Sequence, residues 1–266
     1  MALTRTINAF NTAAASENKI HDDTVASRFG FTGGLVPGVD VFAYLAHAPV
    51  AHWGRPWLSE GAMRARFGKP VYDGDDATLT ATETGADALA LSLTTRGENC
   101  ASGTAQRVAD GPAPEILPSA LMATRETRPN ASMETLPPRR VLGTTQEPYT
   151  KELGAKHLAN AREDAALYDG GAICNPAYML RRANYILAGN VRLGPWIHSE
   201  SAIRLHGLLH DGETLETRAM VAENFESKGH LIVKLDFTIS TGPRLIMSGQ
   251  HWAIYEPRQV REKAPH

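Results

Sequence analysis

The sequence predicts an α+β fold built from two related copies of one unit, each with a long buried helix followed by antiparallel strands. Two observations lead to this prediction. The chain repeats itself once along its length, and within each copy the hydrophobic pattern changes from an almost continuous apolar run to strict alternation. The first pattern is typical of a buried helix and the second of half-buried strands.

The repetition is visible in short segments that recur in the same order about 137 to 140 residues apart. Two long copies indicate two packed, related domains, whereas periods of about 20 to 50 residues would indicate a solenoid. The matching pairs are Gly33-Gly34 with Gly170-Gly171, Pro56-Trp57 with Pro195-Trp196, Met63-Arg64 with Ile203-Arg204, and Asp73-Gly74 with Asp211-Gly212.

The first predicted helix follows Gly34, where the run LVPGVDVFAYLAHA is apolar on nearly every side. Such a helix is buried on most of its surface. Proline is tolerated in the first turn of a helix and disrupts its interior, so Pro37 predicts the start and Pro49 predicts the end.

The strands are predicted from alternation with a period of two. Met63, Ala65 and Phe67 alternate with polar residues in the first copy, and the segment HLIVKLDFTIS shows the same alternation in the second. The expected fold is a sheet curled around each helix, because the helices have no polar face to expose.

Three segments are predicted: a domain over 1–110, a linker over 111–148 and a second domain over 149–266. The linker is predicted because prolines and polar residues make regular structure unfavourable there. Its prolines are Pro112, Pro114, Pro118, Pro129, Pro137, Pro138 and Pro148.

Composition excludes few function classes. The balance of 27 basic against 29 acidic residues gives no reason to expect nucleic acid as a partner. The two cysteines lie one in each half without a metal-binding spacing, so a reduced cytoplasmic location and no metal are expected. The sequence offers no apolar segment of signal-peptide or membrane-spanning character, so no membrane association is expected.

Three segments of the first copy resemble the MaoC-like branch of the hotdog-fold proteins, which includes (R)-specific enoyl-CoA hydratases and dehydratases. They are NKIHDD, GFTGGLVPGVDVFAYL and RFGKPVYDGD. Through the repetition, the second copy looks like a degenerate hotdog. The resemblance implies a double hotdog whose sheets join edge to edge, an acyl thioester substrate linked to coenzyme A, and no cofactor.

The family's catalytic motif is an Asp, an Asn two residues later and a His three residues after that. The matching positions here are Ser16, Asn18 and His21, so the Asp is missing. The resemblance implies that His21 is the acid/base and that Asn18 positions water or the imidazole. Either the reaction differs from that of the family, or Asp22, Asp23 or Asp40 supplies the carboxylate.

The start of the first helix is the second predicted part of the site. The resemblance implies that a backbone N–H near Gly38 binds the thioester oxygen, and a helix N-terminus gives such binding a physical basis. Val36 and Ser16 are predicted beside the substrate. Asp40 lies in an apolar helix, where a carboxylate needs a partner or has a raised pKa, so Asp40 is a catalytic candidate. The alternative is that its carboxylate binds the N–H groups of the first helical turn.

Nothing in the second copy matches Asn18 and His21. His157, His198, His206 and His210 are predicted to be surface or hydrogen-bonded histidines. The first copy is therefore expected to perform the chemistry, while the second shapes the pocket.

Three functions remain open from the sequence. The leading hypothesis is hydration of an α,β-unsaturated acyl thioester or the reverse dehydration. The alternatives are thioester hydrolysis using Asp40 and ligand binding without catalysis. A homodimer is expected, because curved sheets of this kind often pair through their outer surfaces.

Overall fold

The structure, a computed structural model, describes residues 2–14, 16–28, 30–108 and 110–261. Their strands form one ten-stranded antiparallel sheet, which agrees with the predicted α+β class. The strands are β1 (Ala2–Asn8), β2 (Ala62–Phe67), β3 (Asp76–Gly85), β4 (Ala88–Thr95), β5 (Glu98–Gln106), β6 (Thr145–Pro148), β7 (Ile197–Leu205), β8 (Thr214–Ser227), β9 (His230–Thr241) and β10 (Arg244–Glu256).

The helices lie before β2 and before β7, with one more turn at the end of the chain. They are α1 (Asp23–Arg28), α2 (Gly38–Trp53), α3 (Arg55–Glu60), α4 (Lys151–Asn160), α5 (Pro176–Asn190) and α6 (Arg258–Arg261), together with short 3-10 segments at Lys19–His21 and Ala165–Gly171. No helix among these described residues is both long and apolar enough to cross a bilayer.

The sheet order is symmetric about its centre. It runs β1-β3-β4-β5-β2-β7-β10-β9-β8-β6, so each strand of the first half has a counterpart at the mirrored position of the second. The halves meet where β2 pairs with β7, in a register from Ala62 opposite Arg204 to Arg66 opposite Glu200. The predicted edge-to-edge join is confirmed, and each half thereby covers a strand edge of the other.

The symmetry extends into the segment predicted as a linker. Its last four residues form β6, which pairs with β8 as β1 pairs with β3. Regular strand pairing thus begins before residue 149. Proline lacks an N–H and is tolerated at a sheet edge, which is where β6 places Pro148.

Helix α2 continues through Pro49 to Trp53, so the prediction that Pro49 ends the helix is wrong. Proline removes one hydrogen bond and crowds the preceding turn. Here Ala48, Pro49 and Val50 are buried, and their packing offsets that local cost. Tertiary contacts of this kind are not visible in a single-sequence pattern.

Helices α2 and α5, of 16 and 15 residues, pack against each other. Helix α2 also contacts β2 to β5 and β7, and α5 contacts β8 and β9. Their N-terminal halves lie close to each other, because Arg181 of α5 pairs with Asp40 of α2, and Gly38 at the start of α2 lies against His198 of β7. The candidate site lies beside the seam where β2 pairs with β7.

Candidate functional site

A cavity of about 240 Å³ lies between the two halves. It is lined from the first half by residues that include Asn18, His21, Val36 and Gly38, and from the second half by residues that include Trp196. Four of the predicted site residues are therefore brought together. The lining is mostly apolar, as expected for the binding of an acyl chain.

The ring of His21 is oriented by one backbone carbonyl. Its Nδ1 lies 2.7 Å from the oxygen of Leu35, which can only accept a hydrogen bond, so Nδ1 carries the proton and the lone pair of Nε2 faces the Asn18 amide. Burial lowers the pKa of His21 below 6.5, the bond to Leu35 opposes this, and the positive charge of Arg181 lowers it further. The imidazole is therefore neutral at pH 7 and presents a basic nitrogen.

Asn18 lies beside that nitrogen and is held by the second half of the chain. Its Nδ2 donates to the carbonyl of Trp196 at 2.9 Å, and its Oδ1 accepts from the Trp196 N–H at 3.3 Å. This pair fixes which end of the amide carries hydrogen, because the reverse orientation would satisfy neither bond. The same Nδ2 lies 3.3 Å from Nε2 of His21.

The three carboxylates considered as replacements for the family Asp all bind elsewhere. Asp22 accepts from the Val25 N–H at 3.0 Å, and Asp23 accepts from the Gly34 N–H at 2.7 Å. Within the described ranges, the ring nitrogens of His21 have only the Leu35 carbonyl and the Asn18 amide as partners. The side-chain group next to the His21 ring is therefore the amide of Asn18 and not a carboxylate.

Asp40 is outside the cavity, and the structure does not bring it to His21. One carboxylate oxygen is bound by Arg181, and the other accepts from the Thr12 hydroxyl at 2.6 Å. Burial raises the pKa of Asp40, while Arg181 and Thr12 lower it. The side chain is 1% exposed and both of its oxygens are occupied, so Asp40 joins the two halves of the chain.

Val36 and Gly38 form the wall of the cavity at the start of α2. Val36 is fixed by its N–H, which donates to the carbonyl of Val71 at 2.8 Å. Gly38 is the first residue of the helix, and its preceding N-cap, Pro37, provides no side-chain hydrogen bond. A methyl group on Gly38 would lie 2.7 Å from Nδ1 of His198, so glycine is required for this close approach.

Ser16 does not line this cavity. Its hydroxyl donates to the carbonyl of Asn18 at 3.2 Å, so it supports the loop that carries Asn18. It lines a larger neighbouring cavity of about 910 Å³, which shares Asn18, His21 and Trp196 with the smaller one. Basic side chains are prominent in the larger cavity: Lys19, Arg125, Arg128, Arg181 and Arg192.

His198 is a site residue that sequence reasoning missed. The alternation of Ser201, Ile203 and Leu205 along β7 predicts that residue 199 points inward. A β-bulge opposite Trp252 and Ala253 shifts the register, so His198 is buried instead and lines the smaller cavity. Bulges re-aim side chains in this way, and their position depends on strand pairing rather than on local sequence.

The described residues contain no cluster of three or more His, Cys, Asp or Glu side chains placed to hold a metal ion.

Neither a protein-family model nor a curated protein sequence matches the chain. Solved structures do match. A MaoC domain protein from Chloroflexus aurantiacus, described as a dehydratase, is 9% identical with a TM-score of 0.66, over 97% of this chain and 95% of that one. A conserved protein from Mycobacterium tuberculosis with a double hotdog fold is 12% identical with a TM-score of 0.61, over 94% and 95%.

Thioesterases share this fold as well. A protein from Novosphingobium aromaticivorans that is described as a thioesterase is 13% identical with a TM-score of 0.54, over 84% of this chain and 89% of that one. At these identities the likeness shows the fold. The expected resemblance to MaoC-like double hotdogs is confirmed at that level, and the neighbours include proteins described as dehydratases and as thioesterases.

Proposed function

We propose that the chain is a hydratase or dehydratase that adds water to an α,β-unsaturated acyl thioester, or removes it from the 3-hydroxy product. The observation that carries the proposal is an unprotonated Nε2 of His21 at an apolar cavity, where its lone pair has only a long contact of 3.3 Å with the amide of Asn18. A neutral imidazole is a suitable acid/base at neutral pH, since it can both take up and return a proton.

His21 can perform both proton transfers on one face of the substrate. Its Nε2 removes a proton from water, the water oxygen bonds to the β-carbon, and the C=C π electrons move onto the thioester oxygen as an enolate. The imidazolium then returns the proton to the α-carbon, which restores the carbonyl and the neutral ring. A single group that cycles in this way does not need the family's missing carboxylate.

Asn18 is proposed to orient the imidazole and, with substrate bound, the water. Its contact with Nε2 is long, at 3.3 Å, but too short to hold a water between the two atoms, so the reacting water replaces this contact as the imidazole moves away, accepting from the amide and donating to Nε2. Asn18 itself stays in place because both ends of its amide are bound by the backbone of Trp196. The second half of the chain thus holds a group of the first half in position.

Gly38 is proposed to stabilise the enolate. The backbone N–H groups of the first helical turn have no intrahelical partners, and the helix dipole favours negative charge there. Donors aimed at the developing charge in a dry site are typically worth 10²- to 10³-fold in rate.

Coenzyme A is the carrier that fits the surroundings. The larger cavity shares His21 and Trp196 with the smaller one, and apart from Arg181, which pairs with Asp40, it is lined by Lys19 and three arginines. Phosphate groups are bound well by arginine clusters of this kind. Coenzyme A bound in the basic cavity would extend its thioester into the smaller, apolar cavity.

Hydrolysis with Asp40 as base or nucleophile is not favoured. Asp40 lines neither cavity, and both of its oxygens are occupied. The fold is shared with proteins described as thioesterases, so the reaction class still has to be measured directly.

The test is to incubate the purified protein with a series of trans-2-enoyl-CoA substrates of increasing chain length. Absorbance of the conjugated enoyl group and release of free thiol are followed in parallel. Loss of the enoyl signal without thiol release is the expected result. Thiol release with the enoyl group intact would contradict the proposal and show that the protein is a thioesterase. No change in either signal across the series would contradict it as well and indicate a protein that binds its ligand without catalysis.

A further inference from the structure

His198 occupies an unusual place for a histidine outside the motif. It lies on β7 at the bulge, is 6% exposed, and packs edge-on against Phe67 with ring centroids 4.7 Å apart. It lines the same cavity as His21, and its Nδ1 is the atom that comes closest to the Cβ position of Gly38. No described atom makes a hydrogen bond to this buried Nδ1.

The other side of the ring belongs to a hydrogen-bonded chain. Nε2 of His198 lies 2.7 Å from the Ser201 hydroxyl, which lies 3.0 Å from Nδ1 of His251. The hydroxyl has one hydrogen, so it donates to one ring and accepts from the other. Two arrangements are possible, and they differ in which histidine is left with an unpaired N–H.

In the first arrangement, Nε2 of His198 donates to the Ser201 hydroxyl, which donates to Nδ1 of His251. The unpaired N–H is then on Nε2 of His251, which is fully buried and has no described partner. In the second, Ser201 donates to Nε2 of His198. His251 then has only an unpaired lone pair, and the N–H falls on Nδ1 of His198 at the cavity wall. The two arrangements leave the same number of unpaired groups, but only the second puts its N–H on the residue that lines the cavity, where a ligand oxygen can accept it.

We propose that Nδ1–H of His198 is a second donor to the thioester oxygen, acting together with the N–H of Gly38. This inference rests on the proposed hydration reaction and deepens it, because it assigns to the second half of the chain a group that contacts substrate. Nδ1 of His198 lies 2.7 Å from the Cβ position of Gly38, and among the described residues neither this Nδ1 nor the backbone N–H of Gly38 has a hydrogen-bond partner.

The ring suits this role because it stays neutral. Burial lowers the pKa of His198 well below 6.5, the neighbouring His251 and Arg181 lower it further, and a backbone contact with Glu200 only partly opposes this. A neutral donor stabilises enolate character on oxygen without competing with His21 for the proton. The bulge in β7, which turns His198 toward the cavity, thus has a chemical purpose.

The test compares two substitutions at this position. Phenylalanine keeps the packing against Phe67 and removes the donor, whereas asparagine places an amide N–H close to the position of Nδ1. His198→Phe should lower kcat on an enoyl thioester by roughly 10²-fold with a smaller change in KM, and His198→Asn should restore most of it. An unchanged kcat in a folded His198→Phe variant would overturn the proposal.

A second measurement does not depend on turnover. Nuclear magnetic resonance of the isotope-labelled imidazoles reports directly which ring nitrogen of His198 carries hydrogen, in the wild type and in Ser201→Ala. The expected result is a protonated Nδ1 in the wild type, whose proton resonance moves downfield when a saturated acyl-CoA is added. Ser201→Ala should weaken that preference by removing the donor to Nε2.

These two measurements separate the two proposals. If the wild type shows no hydration, the proposed function fails, while the resonance still decides whether His198 binds an acyl thioester. An unprotonated Nδ1, or a resonance that does not respond to acyl-CoA, would overturn the inference even if hydration is observed.

Discussion

Asn18 and Trp196 are joined by two hydrogen bonds, at 2.9 Å and 3.3 Å, across the boundary between the two halves of the chain. The residues are 178 positions apart in sequence. The first half contributes the side chain that lies beside His21, and the second half contributes the backbone groups that hold it. A site built in this way requires both halves.

Replacing Asn18 by Ala should therefore affect stability and turnover together. The two backbone groups of Trp196 lose their partners, which costs about 1–3 kcal/mol of unfolding free energy. Loss of a positioning group next to the base should lower kcat/KM by roughly 10- to 100-fold. Denaturant unfolding and hydration kinetics measure the two effects, with Asn8→Ala as the control because its side chain makes a single exposed bond to Gly74. Equal behaviour of the two variants would contradict the account.

Asp40 and Arg181 are expected to contribute to stability rather than to chemistry. Asp40→Asn leaves the guanidinium, 14% exposed, without its anion, so unfolding free energy should fall by roughly 3 kcal/mol. The double variant Asp40→Asn with Arg181→Met should lose less than the two single changes combined. In each folded variant kcat should stay within a few-fold of the wild type. A loss of kcat in Asp40→Asn without a loss of stability would show that the Asp40 carboxylate takes part in catalysis.

Activity should be retained on the acid side of neutrality. The base must be neutral, and the pKa of His21 is lowered from 6.5, mainly by burial. As pH rises through that lowered pKa the imidazole loses its proton and kcat/KM increases, so the acid limb should have its midpoint below pH 6.5. The pH profile of kcat/KM on one enoyl thioester measures this. A midpoint above 6.5 would indicate a partner that stabilises the imidazolium.

Stability should have a separate acid dependence, from histidines buried in neutral form. Burial lowers the pKa of His157 and of His251 to about 3. Since the unfolded chain binds these protons near pH 6.5, unfolding free energy should fall as pH decreases below 6.5, by about 1.4 kcal/mol per pH unit for each such residue.

His157→Gln isolates one of these contributions, because glutamine can keep a donor near the position of Nε2, which lies 3.4 Å from the Asn175 side-chain oxygen. Urea unfolding at pH 7 and pH 5 should show a smaller difference in this variant than in the wild type. The exposed His210 provides the control, as His210→Gln should leave the difference unchanged. An unaltered pH dependence in His157→Gln would show that another group causes it.

The parts predicted correctly from sequence are those that local pattern and repetition determine. The buried run after Gly34, the alternation in β9 and the paired Asp-Gly turns were sufficient for two copies, each with a helix and antiparallel strands. The shared sheet followed from the family resemblance, which also pointed to Asn18, His21, Val36 and Gly38, four residues that line one cavity. The pattern within each copy depends on residues close together in the chain.

The features that could not be predicted depend on long-range contacts. Pro49 lies inside α2 because packing offsets its local cost, and His198 faces the cavity because pairing with β10 introduces a bulge. The partner of Asp40 is on the other half of the chain, 141 residues away. Sequence periodicity contains no information on such contacts.

The central claim, that Nε2 of His21 transfers the proton, is tested most directly by the turnover of His21→Ala on an enoyl thioester that the wild type hydrates. The account predicts a fall in kcat of roughly 10²- to 10⁴-fold, with unfolding free energy close to that of the wild type and His210→Ala unaffected. Hydration by folded His21→Ala at the wild-type rate would contradict it.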